Sequence, residues 1–228
     1  ISAWHLLRRR EVELFSRSLR IGLAFGLVAT LVVTVEGDRH AVDVAAKQPA
    51  KLAAMESLWE TTRRAPVYLF TIPDEEGERN RVELFPIPGL LSLLAHHELD
   101  APVLGLKEFP RDERPPVLLT SLAFKGMVGL GTYFLALLVV AFFRRRKLLE
   151  SPWLLRLLVW SIPLPYLANQ LGWLVTEVGR QPWIVYGLVR TADAASPVAV
   201  SQVATTLAGF VAVYGLLGLA GFWAALQH

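Results

Sequence analysis

The sequence predicts an all-α membrane protein of four spanning helices with one folded loop on the outer side. Three observations carry this. Apolar residues make up 54% of the 228 residues and the mean hydropathy is +0.42. Four apolar stretches, each close to the ~20 residues a helix needs to cross a bilayer core, are separated by charged segments. The basic residues gather in two short clusters, the pattern that sets membrane orientation.

Residues 1–17 form a cytoplasmic N-terminal segment, because Arg8, Arg9, Arg10, Arg17 and Arg20 precede or open the first span, 18–35. Residues 36–117 then lie on the outer side, followed by a second span over 118–143. Arg144, Arg145, Arg146 and Lys147 fill the connection 144–152 and return it to the cytoplasm. A third span covers 153–177, an outer loop 178–202 and a fourth span 203–226. The basic run between two spans is a topological signal and not a nucleic-acid site. The chain opens on Ile1 without the layout of a signal peptide, and so reads as a piece of something longer. It has no cysteine, which excludes disulfides, thiolate metal sites and cysteine nucleophiles.

The outer segment is too long for an ordinary connection and holds most of the acids. A helix is expected from Pro49 to Thr61, since proline opens it and Ala and Leu dominate. Lys51, Met55, Leu58 and Trp59 fall at i, i+4, i+7 and i+8, a stripe able to lie on a bundle top or membrane interface. A polar turn through Glu75 to Arg81 and an apolar patch from Ile87 to Leu94 follow, so the segment reads as a folded, membrane-apposed loop. Lys51 and Glu56 can be solvated helix charges. They can equally be the donor and proton acceptor for a neutral, hydroxylated head group beside an apolar wall.

Two further groups of residues stand out in or near the spans. Glu177 sits at the outer end of an apolar run, with Trp173 one turn before and Arg180 nearly one turn after, so that ring, acid and base can share a face. A carboxylate there marks chemistry unless it is an interfacial anchor paired with Arg180. Lys125 and Met127 lie in Phe124-Lys125-Gly126-Met127-Val128-Gly129-Leu130-Gly131. None of His5, His40, His96, His97 and His228 lies within an apolar span, so a haem buried here has no local His. Thioether is a recognised axial haem ligand, and carboxylate suits a harder, high-spin iron. Gly126, Gly129 and Gly131 leave room for a planar group or another helix. Met127 can equally be a packed apolar side chain.

Taken together, Lys51 through Thr61, Phe124 through Gly129, and Gly172-Trp173 through Gly179-Arg180-Gln181-Pro182-Trp183 resemble subunit I of the cytochrome bd-type quinol oxidases. Gly105-Leu106-Lys107-Glu108 and Ile162-Pro163-Leu164-Pro165 are also similar to that subunit. The resemblance covers nearly the whole chain. It implies the C-terminal half of a nine-helix subunit, multi-pass in the bacterial cytoplasmic (inner) membrane, with 36–117 as the periplasmic, quinol-binding Q-loop of the short class.

The resemblance also implies roles. Lys51 and Glu56 match quinol-binding positions, Glu56 as proton acceptor. Met127 matches the iron ligand of the low-spin haem b, with Lys125 beside it where well-known members carry Arg. Glu177 matches the carboxylate at the high-spin haem b iron, Trp173 an aromatic between the haems, and Arg180 a charge partner there. The implied cofactors are low-spin and high-spin haem b and haem d, or haem b in its place. The implied partners are the N-terminal half of subunit I, subunit II, ubiquinol or menaquinol, and oxygen. The implied activity is quinol oxidation at the outer face and reduction of oxygen to water, contributing to proton motive force. Two other functions fit the residues: a non-catalytic quinol-binding scaffold without a full haem set, and a small bundle using Glu177 and Arg180 as an ion or proton relay.

Overall fold

The computed structural model describes residues 1–194 and 196–226 and divides into two units, Ile1–Thr191 and Ala192–His228. His228 and one position of the expected 178–202 loop lie outside the described residues. In the first unit, α1 (Ser2–Leu7) and α2 (Val12–Lys47) lead into α3 (Pro49–Glu56). The connecting region holds β1 (Thr62–Arg63), β2 (Val67–Asp74), β3 (Arg79–Ile87), α4 (Leu90–His96) and β4 (Pro102–Val103). Then come α5 (Val117–Phe143), α6 (Pro152–Trp160), α7 (Leu164–Glu177), β5 (Trp183–Val185) and β6 (Val189–Arg190). The second unit contains α8 (Val200–Leu226), close to the expected fourth span.

Three helices, α2, α5 and α8, are long and apolar enough to cross a membrane. The expected third span is not one helix. It breaks at residues 161–163 into α6 and α7, because Pro163 and Pro165 lack the amide hydrogen and disfavour helix in the residue before each. The break is stitched by side chains: the Ser161 hydroxyl donates to Leu157 O at 2.6 Å and lies 2.8 Å from the Tyr133 hydroxyl of α5. Polar groups freed within a membrane helix need such partners.

Helix α2, at the expected first span, also runs well past the expected boundary at 35. Its polar extension is sustained by pairs one turn apart, Glu36–Arg39 at 3.6 Å, Glu36–His40 at 3.8 Å and Asp43–Lys47 at 3.0 Å. It stops at Gln48, immediately before Pro49.

The all-α expectation is corrected outside the spans, where three two-stranded antiparallel pairings form: β1–β4, β2–β3 and β5–β6. The main one is the β2–β3 hairpin, which pairs Val67 with Ile87 at its open end and Asp74 with Arg79 at its turn, with a register shift between Ile72 and Pro73. Val67, Tyr68, Phe70, Thr71 and Ile72 are the β-branched and aromatic types that favour strands. The Asp74 carboxylate closes the turn by accepting from Gly77 N at 3.3 Å. The expected polar turn through 75–81 is therefore shorter, since Arg79–Arg81 already belong to β3.

Short α3 is the hub. Ala50 and every residue from Leu52 to Glu56 are buried. Leu52 packs with Ala65, Leu91, Ala95 and Val103, while Ala53 and Ala54 pack with Trp59, Leu106 and Val117. Met55 meets Ala123 of α5 and Val175 of α7. The small alanines let three groups of elements approach one helix. The expected surface stripe of Lys51, Met55, Leu58 and Trp59 does not form, because the helix ends at Glu56 where Ser57 turns left-handed (φ 56, ψ 37).

Candidate functional site: a buried ion pair beside an open pocket

Lys125 and Glu56, 69 positions apart in sequence, form a salt bridge at 3.1 Å with side chains only 9% and 7% exposed. The Lys125 ammonium also donates to Tyr68 O of β2 at 2.7 Å. One cation thus holds both α3 and β2 against α5. Burial pushes the Glu56 carboxyl above the usual carboxylate range, and Lys125 opposes that rise. A buried charge of this kind persists only while its partner stays.

The hairpin descends along α5 residue by residue. At its turn the Glu75 carboxylate accepts from Leu118 N at 2.9 Å, capping the first turn of α5. Lower down, Thr71 lies 3.3 Å from the Ser121 hydroxyl, and lower still Tyr68 O meets Lys125. Ser57 joins the middle contact, donating to Ser121 at 2.6 Å and lying 3.2 Å from Thr71. Asn80 donates to Ser57 O at 3.0 Å and accepts from the Trp59 indole at 3.0 Å.

Lys51 is directed elsewhere. Five positions from Glu56, it lies roughly 140° around the helix. Its ammonium reaches Thr176 O at 3.5 Å, near the Glu177–Arg180 pair. Burial lowers its affinity for a proton, Arg180 adds to that, and Glu177 works against it. Lys51 and Glu56 therefore do not converge through any mutual contact among the described residues.

Arg180 donates to Glu177 at 2.5 Å, with the two side chains 39% and 38% exposed. The turn that presents Arg180 requires Gly179, where an added Cβ would lie 2.4 Å from Val175 O, 3.0 Å from Thr120 Cγ2 and 3.3 Å from Lys51 Cε. Arg180 Nε is buried with no hydrogen-bond partner among the described residues.

Met127 and Trp173 line the same open pocket of about 730 Å³ between α5 and α7, with Ala168, Asn169, Gln170, Gly172 and Thr176. The helices cross at glycines: a Cβ at Gly172 would fall 2.9 Å from Met127 Sδ, and one at Gly126 3.1 Å from Leu171 Cδ1. Any side chain at 172 would displace the sulfur. Of the three glycines expected to open this region only Gly126 is at a close approach, since Gly129 and Gly131 face no atom within 4 Å. The donor set fits a haem at this wall: a soft sulfur, an aromatic ring and a volume in the ligand-pocket range of roughly 300–1,000 Å³. Glu177, one turn beyond Trp173, is a carboxylate available to a harder iron. Among the described residues no cluster of three His, Cys, Asp or Glu is present.

Gly172, Gly179, Thr71, Ser121 and the Tyr68 carbonyl are the parts of this arrangement that spacing did not single out. Both glycines stand inside a motif already noticed; the other three depend on contacts between distant segments.

A lysine of a membrane-length helix buried against a carboxylate of α3, with a thioether-lined pocket further along the lysine's helix, defines a multi-helix membrane protein built around a charged internal site. The chain matches the family model Cytochrome bd terminal oxidase subunit I over residues 1–228. It is 32% identical to cytochrome bd-II ubiquinol oxidase subunit 1 of Escherichia coli, across 96% of this chain and 56% of that protein. It is 37% identical to cytochrome bd ubiquinol oxidase subunit 1 of Bacillus subtilis, across 96% of this chain and 49% of that protein. The solved bd oxidase from Geobacillus thermodenitrificans superposes with a TM-score of 0.84 at 34% identity, covering 96% of this chain and 50% of that one. The chain belongs to the cytochrome bd oxidase subunit I family, whose members are multi-pass proteins of the bacterial inner membrane. It spans about half the length of the curated relatives it matches. The same share of this chain extends over 288 aligned positions in the E. coli relative and 231 in the B. subtilis one, so the former carries inserted residues that this chain lacks.

Proposed function

We propose that this chain supplies the quinol-oxidising and haem-holding C-terminal half of a bd-type terminal oxidase subunit I. The observation that supports this most is the Glu56–Lys125 pair, which ties the connecting region to the helix carrying Met127. By the positive-inside rule, Arg144–Lys147 lies in the cytoplasm and the β2–β3 hairpin outside. Quinol oxidation releases two protons and two electrons. Glu56 takes up a proton from the head group and delivers it to the outer side, and burial, which raises its proton affinity, favours that uptake. Lys125 compensates the carboxylate between turnovers, and Lys51 donates a hydrogen bond from the Glu177 side.

Met127 would hold the iron of the low-spin haem b, and Glu177 that of the high-spin haem b, with Trp173 between and Arg180 fixing the Glu177 carboxylate. The haems, with haem d or a further haem b at the oxygen site, supply one-electron transfer and oxygen reduction. Ubiquinol or menaquinol is the donor and oxygen the acceptor. The N-terminal half of the subunit and subunit II complete the assembly.

In the full complex, Glu56→Gln removes the proton acceptor and is expected to depress quinol oxidation roughly 10²- to 10⁴-fold, the usual weight of general-base catalysis, with haem content intact. Lys51→Ala is expected to depress it less. Oxidation at the parent rate in both variants would leave these residues as structural charges and place proton acceptance on another group. Sidedness is checked with Cys placed at the exposed positions Glu76 and Arg146. Impermeant reagent applied to intact cells should label only the first, and labelling at Arg146 alone would invert the topology.

A further inference from the structure

We infer that the buried hydroxyl triad Ser57–Thr71–Ser121 is a positioning device for the Glu56 carboxylate, an inference that rests on the quinol-oxidising reading above. Glu56 is the last residue of α3, and the chain leaves it through Ser57. Ser57 occupies the left-handed region, which is unfavourable for a residue other than glycine. That conformation persists only if its surroundings over-determine it.

Here they do so from three sides. Ser57, Thr71 and Ser121 are 1%, 0% and 0% exposed, and their hydroxyls lie within 2.6 to 3.3 Å of one another. The Ser57 carbonyl is bound by Asn80. The triad therefore joins the exit of α3 to β2 and to α5. Ser121 stands one turn before Lys125, on the same face of α5. The residue that fixes the exit of α3 and the residue that pairs with Glu56 are thus carried by one rigid helix.

Among the described residues no hydrogen bond links the triad to the Glu56 carboxylate. The hydroxyls accordingly act through the backbone at Ser57 and not as a proton relay. Buried hydroxyls of this kind also exclude apolar replacements, since each lost partner leaves the others unsatisfied.

The test uses the complete oxidase and reads kcat/KM for quinol together with the haem spectrum. Thr71→Val, close in shape but without the hydroxyl, is expected to lower kcat/KM roughly tenfold, the scale of one buried hydrogen bond, at unchanged haem content. Thr71→Ser keeps the hydroxyl and should restore the parent value. Ser57→Gly adopts the left-handed turn without strain, so Ser57→Gly combined with Ser121→Ala should be faster than Ser121→Ala alone. In a Glu56→Gln background, Thr71→Val should have little further effect, because there is no carboxylate left to aim. A full tenfold loss in that background, or no gain from Ser57→Gly, would overturn the positioning role while leaving Glu56 as the base. A silent Glu56→Gln would instead overturn the quinol reading, and the inference with it.

Discussion

Lys125→Met is expected to lower quinol oxidation at least 100-fold and to weaken the assembled protein. Breaking a buried pair by removing one partner costs about 3–5 kcal/mol, because the surviving charge has neither water nor counter-ion. Glu56 would take up a proton to avoid that state, and a protonated Glu56 cannot serve as the base. The change also strips Tyr68 O of its donor, loosening the base of the hairpin. Lys125→Arg keeps the charge and should retain most of the rate, although its planar fork prefers different geometry from an ammonium. The double variant Lys125→Met with Glu56→Gln should be better folded than Lys125→Met alone, since it removes the orphaned charge. Thermal unfolding of the purified complex compares the two. Equal destabilisation in both would mean that the pair is not the source of the loss.

The second large effect is expected at Met127. Leu matches its volume, and such swaps in packed sites usually cost below about 1.5 kcal/mol, so α5 and α7 should still cross at Gly126 and Gly172. What disappears is the sulfur donor. In the complete oxidase the low-spin haem b signal should be lost or shifted while the other haem signals persist. An unchanged low-spin spectrum and reduction potential would return Met127 to an ordinary packing role.

Three helices of membrane length were legible from hydropathy because an apolar run of some twenty residues is costly in water and cheap in lipid, and α5 and α8 lie close to two of the expected spans. The length of α2 was not, since its last dozen residues are rich in polar and charged side chains and are held helical by charge pairs that hydropathy ignores. The break before Leu164 was written in Pro163 and Pro165, but the apolar run continued across it and concealed it. The hairpin was missed because β2 and β3 lack a clean alternation of apolar and polar residues. Glu56 and Lys125 were each visible as candidate residues. Their pairing was not, because contact across 69 positions is decided by how α3 and β2 seat on α5. For the same reason the directions of Lys51 and Glu56, neighbours in one motif, were not legible, since each is set by the element it meets. The turn of the helix sends them to different surroundings.

With 27 residues, α5 is a rod about 40 Å long at 1.5 Å per residue, while a bilayer core takes about 20 residues, or 30 Å. On the proposed topology, with α5 upright and the arginines after Phe143 held in water, the surplus of about seven residues would emerge at the near end. Counted from that anchor, a core of that depth would end close to Lys125, short of Ser121 and Leu118. On that topology the depth of the ion pair would be measured from the opposite side of the membrane. A single residue inserted between Lys125 and Phe143 would raise the lysine by about 1.5 Å and swing it through about 100°, away from Glu56. The number of residues in that stretch is therefore under the same constraint as the charged residues themselves, although nearly all of its side chains are apolar.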